Sequence, residues 1–523
     1  MHHHRSAIFL DRDGTLIEDA GVLSNPDDIR LFPDAVDALR QLQKKYLLFV
    51  VTNQPGIANG LLTAGQVAEI NKSLDGILSQ EGIHIRQWYV CPHARKDGCQ
   101  CIKPNPAFLL QAAGDYDLDL RQSFVIGDHP HDVLTGEAVG AFGLYLLTGH
   151  GPKHLDELPQ DKLIFHTLGD AARWILKHPN AERDIFHALE AGVEAILRGG
   201  LVAFPTETVY GLGADAFNAV AVARIFEVKG RPLHNPLIIH VSDRRQVQSL
   251  VAHLSETAKR LMERFWPGPL TLVFPKSSMV PDIVTAGNPT VAIRIPANIW
   301  ARELITLCER PIAAPSANAF GRTSPTTANH VEDQLHGLYD VLVDGGACRV
   351  GIESTVLSLA GDIPLLLRPG GVSQEEIVEI TKSVEIYRPK NKIGNLLESP
   401  GMMSSHYAPS TPMLLVDDID SYGQRSDVGV ICFKNPSVHF QAPTAVLSPR
   451  GDMREAAVNL YQAMRKLDHM GLSFIAVERI PNNGIGAAVN DRLSKASFQS
   501  MPSSLLPDAS LRQEQKKDVD QMI

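Results

Sequence analysis

The sequence contains no apolar run that approaches the roughly 18 residues required by a membrane-spanning helix. Its first residues also lack the apolar core of a signal peptide, so we expect a cytoplasmic protein that does not bind membranes. Basic residues (49) are outnumbered by acidic ones (59), and the net charge of −10 argues against strong general binding of nucleic acid. At 523 residues, 44% of them hydrophobic, the chain is long enough for about three domains.

Cysteine is also scarce, but three of the six cysteines lie in one short segment, WYVCPHARKDGCQCIK (88–103). Cys91 and His93 form one closely spaced pair, and Cys99 and Cys101 form another. Four such ligands on one loop are typical of a closed tetrahedral zinc site. Free thiols are the alternative, whereas a catalytic zinc would need an open coordination position. We therefore predict that this loop holds a structural Zn²⁺.

In the first 150 residues, polar groups follow each of three short apolar segments that we predict to be strands. Because ligands bind at the carboxyl ends of parallel strands, these groups are candidates for one site. Two carboxylates before a turn glycine can serve as nucleophile and proton donor beside a divalent cation. The segments are 7–10, 47–51 and 123–126, and the groups after them are Asp11, Asp13, Thr52, Asn53 and Asp128.

The order strand, DRDGT, strand, TNQ, lysine, strand, GD resembles the haloacid dehalogenase (HAD) phosphatases, which have a Rossmann-like α/β fold. The resemblance implies that Asp11 attacks phosphorus and that Asp13 protonates the leaving oxygen and later activates water. A zinc-stabilised scaffold without phosphatase activity is the alternative. By the same resemblance, Thr52, Asn53 and Lys103 complete the catalytic set, and Mg²⁺ is held by Asp11, Asp128 and the carbonyl of Asp13.

The CPH, CxC and KP motifs of the cysteine-rich loop resemble the capless, zinc-bearing HAD phosphatases of D-glycero-D-manno-heptose 1,7-bisphosphate or histidinol phosphate. Only 38 residues separate the second aspartate of DRDGT from the threonine of TNQ, so a cap domain has no room and a small phosphate ester is implied. Ile102 and His129 stand where these families usually have cations, and Arg95 or Lys96 could compensate. We favour the heptose 7-phosphate, with histidinol phosphate as the alternative.

The stretch 199–236 organises most of the remaining chain. An apolar run at 201–204 predicts a buried strand, after which Pro205 begins a polar turn that includes Thr208. A helix at about 219–227 is predicted to present Lys229 and Arg231 beyond its end. Hydroxyls from one loop and cations from the next suit a phosphate-bearing ligand, although a solvated KGR turn is the alternative.

Seven ordered blocks resemble the YrdC family of threonylcarbamoyl-AMP synthases, which have a twisted open α/β sheet. The resemblance implies that L-threonine, bicarbonate and ATP give threonylcarbamoyl-adenylate and pyrophosphate, and that the product passes to the tRNA threonylcarbamoyl transferase machinery. An RNA-binding groove of this fold, with a relict phosphatase, is the alternative. The blocks are 199–236, NPLIIH (235–240), FWPGPLTLV (265–273), VAIRIP (291–296), APSANAFGRTSPT (314–326), ESTV (353–356) and RPGG (368–371).

The same resemblance implies two groups of ligand-binding residues in this second enzyme. Threonine or its carbamate would contact Thr208, His240, Arg294 and Ser354. The nucleotide, with Mg²⁺, would lie among Lys229, Arg231, Asn235, Thr290, Ser316, Asn318, Ser324 and Arg368.

The segment ESPGMMSSHYAP (398–409) resembles the interdomain linker of the long form of the synthase, which lies over the active site. His406 and Tyr407 would then close the adenylate pocket, whereas a plain spacer is the alternative. The segment GIGAAVNDRLSKAS (484–497) resembles the closing helix of a small Rossmann-like accessory domain. A dinucleotide site is rejected because the glycines do not follow a first strand. The predicted domains are 1–150, 186–395 and 413–499, with linkers at 151–185 and 396–412 and a disordered tail at 500–523.

Overall fold

The computed structural model describes residues 5–388 and 406–497. The predicted tail and most of the predicted linker at 396–412 lie outside these residues. The chain divides into two compact units, Met1–His187 and Ala188–Ile523. Among the described residues, no helix has both the length and the apolar character needed to cross a bilayer.

The first unit is built on one sheet of six parallel strands in the order β3-β2-β1-β4-β5-β6. Its central strands are almost continuously apolar, as expected when helices cover both faces of a parallel sheet. The strands are β1 (Ala7–Leu10), β2 (Leu47–Asn53), β3 (Ile85–Cys91), β4 (Phe124–Gly127), β5 (Phe142–Leu146) and β6 (Leu163–Phe165). The helices are α1 (Ala35–Leu42), α2 (Pro55–Ala58), α3 (Ala64–Gln80), α4 (Ala107–Tyr116), α5 (Pro130–Glu137), α6 (Gly151–His154) and α7 (Leu168–Lys177).

The first sheet extends beyond the predicted domain end at residue 150. Strand β6 pairs with β5, and Trp174 of α7 stacks on Phe142 with ring centroids 5.8 Å apart. The backbone N–H of Gly169 also donates to Asp34 Oδ2 at 2.7 Å. Residues 163–177, which we predicted to be part of a linker, therefore belong to the core of the first unit. The polar segment GHGP (149–152), whose last two residues begin α6, lies within the unit.

The second unit contains a mixed sheet of ten strands in the order β13-β7-β8-β12-β9-β11-β10-β14-β15-β16. Helix α8 (Ala181–Leu197) crosses the division between the two units. The strands are β7 (Val202–Phe204), β8 (Gly211–Asp215), β9 (Ile238–His240), β10 (Leu270–Pro275), β11 (Thr290–Arg294), β12 (Ile312–Ala314), β13 (Val341–Leu342), β14 (Thr355–Ser358), β15 (Leu365–Arg368) and β16 (Glu385–Ile386). The helices are α9 (Ala219–Lys229), α10 (Arg244–Leu250), α11 (Glu256–Phe265), α12 (Asp282–Thr285), α13 (Ile299–Cys308), α14 (Ala328–Leu335) and α15 (Gln374–Thr381).

We call residues 413–497, the last part of the second unit, the accessory domain. It contains a small parallel sheet. Its strand order is β17-β20-β18-β19. The strands are β17 (Met413–Val416), β18 (Val428–Cys432), β19 (Thr444–Val446) and β20 (Phe474–Glu478), and the helices are α16 (Met453–Asp468) and α17 (Gly486–Ser497). The predicted fold class, three α/β modules of which two are Rossmann-like, is confirmed.

Candidate active sites

Three carboxylates meet at the carboxyl edge of the first sheet. Oxygens of Asp11, Asp128 and Asp132 all lie within 4.8 Å of one another. Strands β1 and β4 are neighbours, which brings Asp11 and Asp128 together, and Asp132 comes from the first turn of α5. Gly14 has φ +77°, and a Cβ atom there would lie 2.0 Å from Asp128 Oδ2, so only glycine fits this turn.

One lysine is bound within this carboxylate cluster. Lys103 Nζ lies 2.7 Å from Asp11 Oδ1 and 2.5 Å from Asp132 Oδ1, and it donates to Val51 O at 2.9 Å. Burial raises the pKa of Asp11 to about 6 although Lys103 opposes it, and burial together with Asp11 raises the pKa of Asp128. Three carboxylates face one ammonium group, so the donor set fits a divalent cation such as Mg²⁺.

The second aspartate of DRDGT lies beside the cluster and is less buried. Arg12 Nη2 lies 2.8 Å from Asp13 Oδ2, and Gln54 Nε2 donates to the same oxygen at 2.8 Å. Burial raises the pKa of Asp13 despite the opposing Arg12. Gln54 also donates to Thr52 Oγ1, and Asn53 Oδ1 accepts from Lys103 N at 3.1 Å. The predicted catalytic residues thus form two bonded sets, Asp13 with Thr52 through Gln54, and Asp11 with Asn53 through Lys103.

Sequence reasoning missed three residues of this site, Arg12, Gln54 and Asp132. Each is polar and buried, with no more than 7% of its surface exposed. Gln54 could have been found, because it is the third residue of the TNQ motif. Asp132 lies on α5, four residues after Asp128, and a search for polar groups that directly follow strands does not find it. The predicted role of the Asp13 carbonyl as a metal ligand stays a prediction.

The four predicted zinc ligands converge on one point. Sulfur–sulfur distances among Cys91, Cys99 and Cys101 are 3.3, 3.5 and 3.6 Å, and His93 Nδ1 lies 3.3 Å from Cys101 Sγ and 3.8 Å from Cys91 Sγ. A tetrahedral zinc with ordinary bond lengths separates its ligands by about 3.5–3.8 Å. All three cysteines are free thiols, and the donor set therefore fits Zn²⁺.

Histidines lie where we expected a cation beside the carboxylate cluster. The rings of His129 and His131 stack with centroids 4.4 Å apart, and His154 lies at the same distance from His129. Arg95 Nη2 donates to His131 Nδ1 at 2.8 Å. Burial, reinforced by His131 and His154, lowers the pKa of His129 to about 4. Arg95 therefore contacts the histidines beside the carboxylate cluster, and its predicted role as a compensating cation stays a prediction.

The second unit contains an open cavity at the mouth of its sheet. Polar turns after β7 and β12 form part of its wall, and the ends of β9, β11 and β15 form another part. Of the predicted ligand-binding residues, those lining the cavity are Thr208, Arg231, His240, Arg294, Ser316, Ser354, Arg368 and Tyr407, with His406 beside them.

Two neighbouring strand ends supply the polar groups at the centre of this cavity. Arg294 of β11 and His240 of β9 are partners in the parallel register. Arg294 Nη1 donates to Thr208 Oγ1 at 2.9 Å, and Nη2 lies 2.6 Å from Glu207 Oε1. Burial and the nearby Arg294 lower the pKa of His240 to about 3, so the imidazole is neutral at physiological pH. The result is a fixed buried cation beside a neutral imidazole, an arrangement suited to a carboxylate ligand.

A second group of cations lies behind and beside the cavity. Lys229 is in the last turn of α9, not beyond the helix as predicted, and Gly230 ends the helix with φ +61°. Lys229 Nζ donates to the carbonyl oxygens of Ser316 and Asn318. Arg231 Nη2 donates to Asn235 Oδ1 at 2.6 Å. Burial and the neighbouring Arg231 lower the pKa of Lys229, so an anionic ligand nearby would favour its charged form.

Thr290 is not among the residues that line the cavity, and its predicted contact with the nucleotide stays a prediction. It begins β11 and pairs with Pro275, whereas Arg294 ends the strand at the cavity. Four residues of extended chain separate the two by about 13 Å. Asn235, Asn318 and Ser324 lie behind the lining residues. Ser324 donates its hydroxyl hydrogen to Glu353, a lining residue that sequence reasoning missed although it begins the ESTV block.

The predicted closing residues lie on the wall of the cavity. Tyr407 has φ +68°, a left-handed conformation that is unfavourable for a bulky residue and is often found at functional sites. Burial raises its pKa to about 12, and its hydroxyl is buried without a hydrogen-bond partner among the described residues. His406 packs edge-on against Tyr407 at 4.2 Å. His406 and Tyr407, at the described end of the segment, are therefore part of the cavity wall.

Taken with the folds, these sites define an α/β enzyme with two candidate active sites. The chain belongs to the Sua5/YrdC family of threonylcarbamoyl-AMP synthases and carries a HAD-like phosphatase domain before the synthase. The Sua5/YciO/YrdC family model, described as "Telomere recombination", matches residues 194–370. A model of the "Threonylcarbamoyl-AMP synthase, C-terminal domain" matches residues 372–497, and a HAD hydrolase-like model matches residues 100–171.

Curated relatives support both parts of this assignment. The threonylcarbamoyl-AMP synthase of Pyrococcus abyssi is 45% identical over 313 residues, which are 58% of this chain and 92% of the relative. The D-glycero-beta-D-manno-heptose-1,7-bisphosphate 7-phosphatase of Pasteurella multocida is 33% identical over 178 residues, 33% of this chain and 97% of the relative. The predicted fusion of two enzymes is confirmed.

A solved structure has the fold of the second unit. The crystal structure of P. abyssi Sua5 complexed with L-threonine has a TM-score of 0.56 and 43% sequence identity. The match covers 60% of this chain and 94% of that one, so it extends through the accessory domain. The predicted long form of the synthase, with its accessory domain, is confirmed.

Proposed function

We propose that the second unit forms L-threonylcarbamoyladenylate and pyrophosphate from L-threonine, bicarbonate and ATP, for modification of a tRNA adenosine. The observation that carries the proposal is the convergence of Arg294, His240 and Thr208 with Arg231 and Arg368 on one cavity. The first three suit an amino acid, and the two arginines suit phosphates. The P. abyssi relative solved with L-threonine supports the amino-acid end.

In the proposed reaction the amine of threonine takes up the carbon of bicarbonate with loss of water, and the carbamate oxygen then bonds to the α-phosphorus of ATP. The bond from that phosphorus to pyrophosphate breaks, and pyrophosphate leaves with the electron pair. Arg294 and Thr208 would hold the threonine carboxylate. Lys229, Arg231 and Arg368 would stabilise the charge on the phosphates, so the pocket acts through positioning and electrostatics and needs no nucleophile of its own.

The test is release of pyrophosphate that requires both threonine and bicarbonate. The proposal predicts no release when either is left out. A groove that only binds RNA would release no pyrophosphate under any of these conditions, and release that ignores threonine would indicate simple ATP hydrolysis.

We further propose that the first unit is a phosphatase in which Asp11 attacks phosphorus. A carboxylate oxygen of Asp11 bonds to phosphorus as the ester bond breaks, and Asp13 gives its proton to the leaving oxygen. Asp13 then removes a proton from the water that releases phosphate. Asp11, Asp128 and Asp132 would hold Mg²⁺, which when bound neutralises charge on the phosphoryl oxygens.

The substrate we propose is the 7-phosphate of D-glycero-D-manno-heptose 1,7-bisphosphate. The P. multocida relative supports this choice. The short segment of 38 residues between Asp13 and Thr52, in which α1 is the one α-helix that the structure describes, has no room for a cap and suits a small phosphate ester of either kind. Arg95 and His131 lie beside the carboxylate cluster, where they could contact a second phosphate.

Assayed side by side, the heptose bisphosphate should be hydrolysed with a kcat/KM at least about tenfold above that for histidinol phosphate, because two phosphates offer more charge-assisted contacts than one. Phosphate release from each substrate at equal enzyme concentration is the measurement. A preference for histidinol phosphate would overturn this assignment and leave the class of enzyme intact.

We also propose that Cys91, His93, Cys99 and Cys101 hold a structural Zn²⁺ that orders their loop. Elemental analysis of the purified protein should find one zinc per chain. Because the ion replaces packing that this polar loop cannot provide, Cys99→Ser should lose the metal and lower the Tm of the first unit by roughly 10 °C. Lys96→Ser in the same loop is the control and should change neither quantity. Zinc-free protein and a Cys99→Ser variant of unchanged Tm would favour free thiols.

A further inference from the structure

Two helices of the accessory domain send buried side chains to the wall of the synthase cavity. Arg492 of α17 is fully buried, and its Nε donates to Glu353 Oε2 at 2.8 Å. Tyr461 of α16 donates its hydroxyl hydrogen to the same carboxylate, 3.0 and 3.1 Å from its two oxygens. Arg465, also on α16, donates to Thr323 O at 2.7 Å. The accessory domain therefore contacts two loops of the cavity through side chains that water does not reach.

Glu353 links these contacts to residues that we expect to bind the nucleotide. It lines the cavity, and it accepts a hydrogen bond from the hydroxyl of Ser324. The next residue, Ser354, also lines the cavity, and its carbonyl oxygen accepts from Arg368 Nη2 at 2.9 Å. Glu353 is thus bonded to Ser324 and adjoins Ser354, the residue whose carbonyl oxygen is bonded to Arg368.

Arg492 makes two further contacts that bear on the same cavity. Its Nη1 donates to Pro369 O, at 2.7 Å, in the loop after β15. Its guanidinium lies over the ring of Tyr407, 5.2 Å from the centroid, which is within the range of a cation–π interaction. One side chain of the accessory domain therefore contacts Glu353, the loop that follows Arg368, and the aromatic ring on the cavity wall.

We propose that the accessory domain is an integral part of the synthase active site, in which Arg492 and Tyr461 are positioning residues that hold Glu353, and through it Ser324 and Arg368, in the arrangement that binds ATP. The physical reason is that a buried carboxylate keeps its charge and direction only while its partners are present. This inference rests on the proposed synthase reaction.

The ionisation of Glu353 is consistent with this arrangement. Burial alone would raise its pKa, but Arg492 and Arg368 lower it to about 2. Without Arg492, less positive charge opposes the effect of burial, and the pKa of Glu353 rises. On acidification, Glu353 then becomes protonated at a higher pH than in the wild type. A variant without Arg492 should therefore lose activity on the acid side of neutrality, where the wild-type Glu353 stays ionised. The titratable and charged groups around Glu353 are Arg492, Arg368, Tyr461, Tyr407 and His406.

Steady-state kinetics of threonine-dependent pyrophosphate release test the proposal. Arg492→Met should raise the KM for ATP at least about tenfold and shift the acid limb of the pH profile to higher pH. Arg492→Lys keeps the positive charge and should show smaller changes in both quantities. The matched control is Arg425→Met, in the same domain, because Arg425 pairs with Asp427 at the surface. The control should have wild-type kinetics. An Arg492→Met variant that has a lower Tm but an unchanged KM and pH profile would overturn the proposal.

If Arg492→Met does not fold, two substitutions that keep side-chain shape decide the question. Tyr461→Phe and Glu353→Gln should each raise the KM for ATP, and the double variant should be no worse than Glu353→Gln alone, because both act through one carboxylate. Fully additive effects would overturn the proposal. Calorimetric binding of ATP separates the proposed reaction from the proposed role of Arg492. Wild-type protein that binds ATP but releases no pyrophosphate would refute the reaction. The ATP affinities of the wild type and the Arg492 variants would still test the positioning role.

Discussion

Replacement of Asp11 by asparagine is expected to lower phosphate release from the first unit by on the order of 10⁴-fold or more, because the nucleophilic oxygen is lost. The amide side chain would also lack the charge that pairs with Lys103, 2.7 Å from Asp11, and that would attract a divalent cation. The measurement is phosphate release from the heptose bisphosphate, with threonine-dependent pyrophosphate release followed in the same preparation. The second activity should keep its wild-type rate.

The matched control for this variant is Asp37→Asn. Asp37 lies in the same unit on α1, and its side chain is 76% exposed in a surface pair with Arg40. Both activities should be unchanged, since exposed pairs contribute little to stability. Should Asp11→Asn retain hydrolysis at the level of this control, the first unit would have to be regarded as a zinc-stabilised scaffold.

Replacement of Arg294 by glutamine is expected to lower kcat/KM for threonine by about 10²- to 10³-fold, because a buried charged donor to the ligand is removed. The loss also removes the ion-pair partner that lies 2.6 Å from Glu207. Arg294→Lys should give an intermediate result, since it keeps the charge but not the planar fork. The measurement is threonine-dependent pyrophosphate release, with phosphatase activity as the internal reference.

Arg245→Gln is the control for Arg294, because its side chain is 92% exposed and pairs with Asp243 at the surface. It should retain wild-type kinetics. Thermal unfolding of both variants separates loss of fold from loss of ligand binding. An Arg294→Gln protein that is stably folded and has an unchanged KM and kcat would contradict the assignment of Arg294 to the threonine carboxylate.

Local patterns predicted which polar groups meet at the edge of the first sheet, because these groups follow strand ends. The strand at 7–10 was predicted with the bounds it has, and the polar groups after β1, β2 and β4 meet as expected. Asp132 was missed because it lies in a helix, where its neighbours in sequence give no sign of the cluster. The first domain was predicted to end too early because β6 is only three residues long and its partner strand is not apparent from the sequence.

The second unit shows a different limit of sequence reasoning. Thr290 was assigned to the nucleotide through the family resemblance, but it begins β11, whereas Arg294 ends the strand at the cavity. Arg492 and Glu353 are 139 residues apart, so no local pattern connects them. A buried ion pair between a helix and a distant loop depends on tertiary packing, and only the structure shows that packing.

The central claim is that the cavity of the second unit joins threonine, bicarbonate and ATP. Its most direct test is mass spectrometry of the nucleotide product formed from ¹³C-labelled bicarbonate. We predict an adenylate that carries the label and that forms only when threonine is present. Its rate of formation should fall by about 10²- to 10³-fold in Arg294→Gln and be unchanged in Asp11→Asn. An unlabelled nucleotide product, or a labelled one whose formation does not depend on Arg294, would contradict the account.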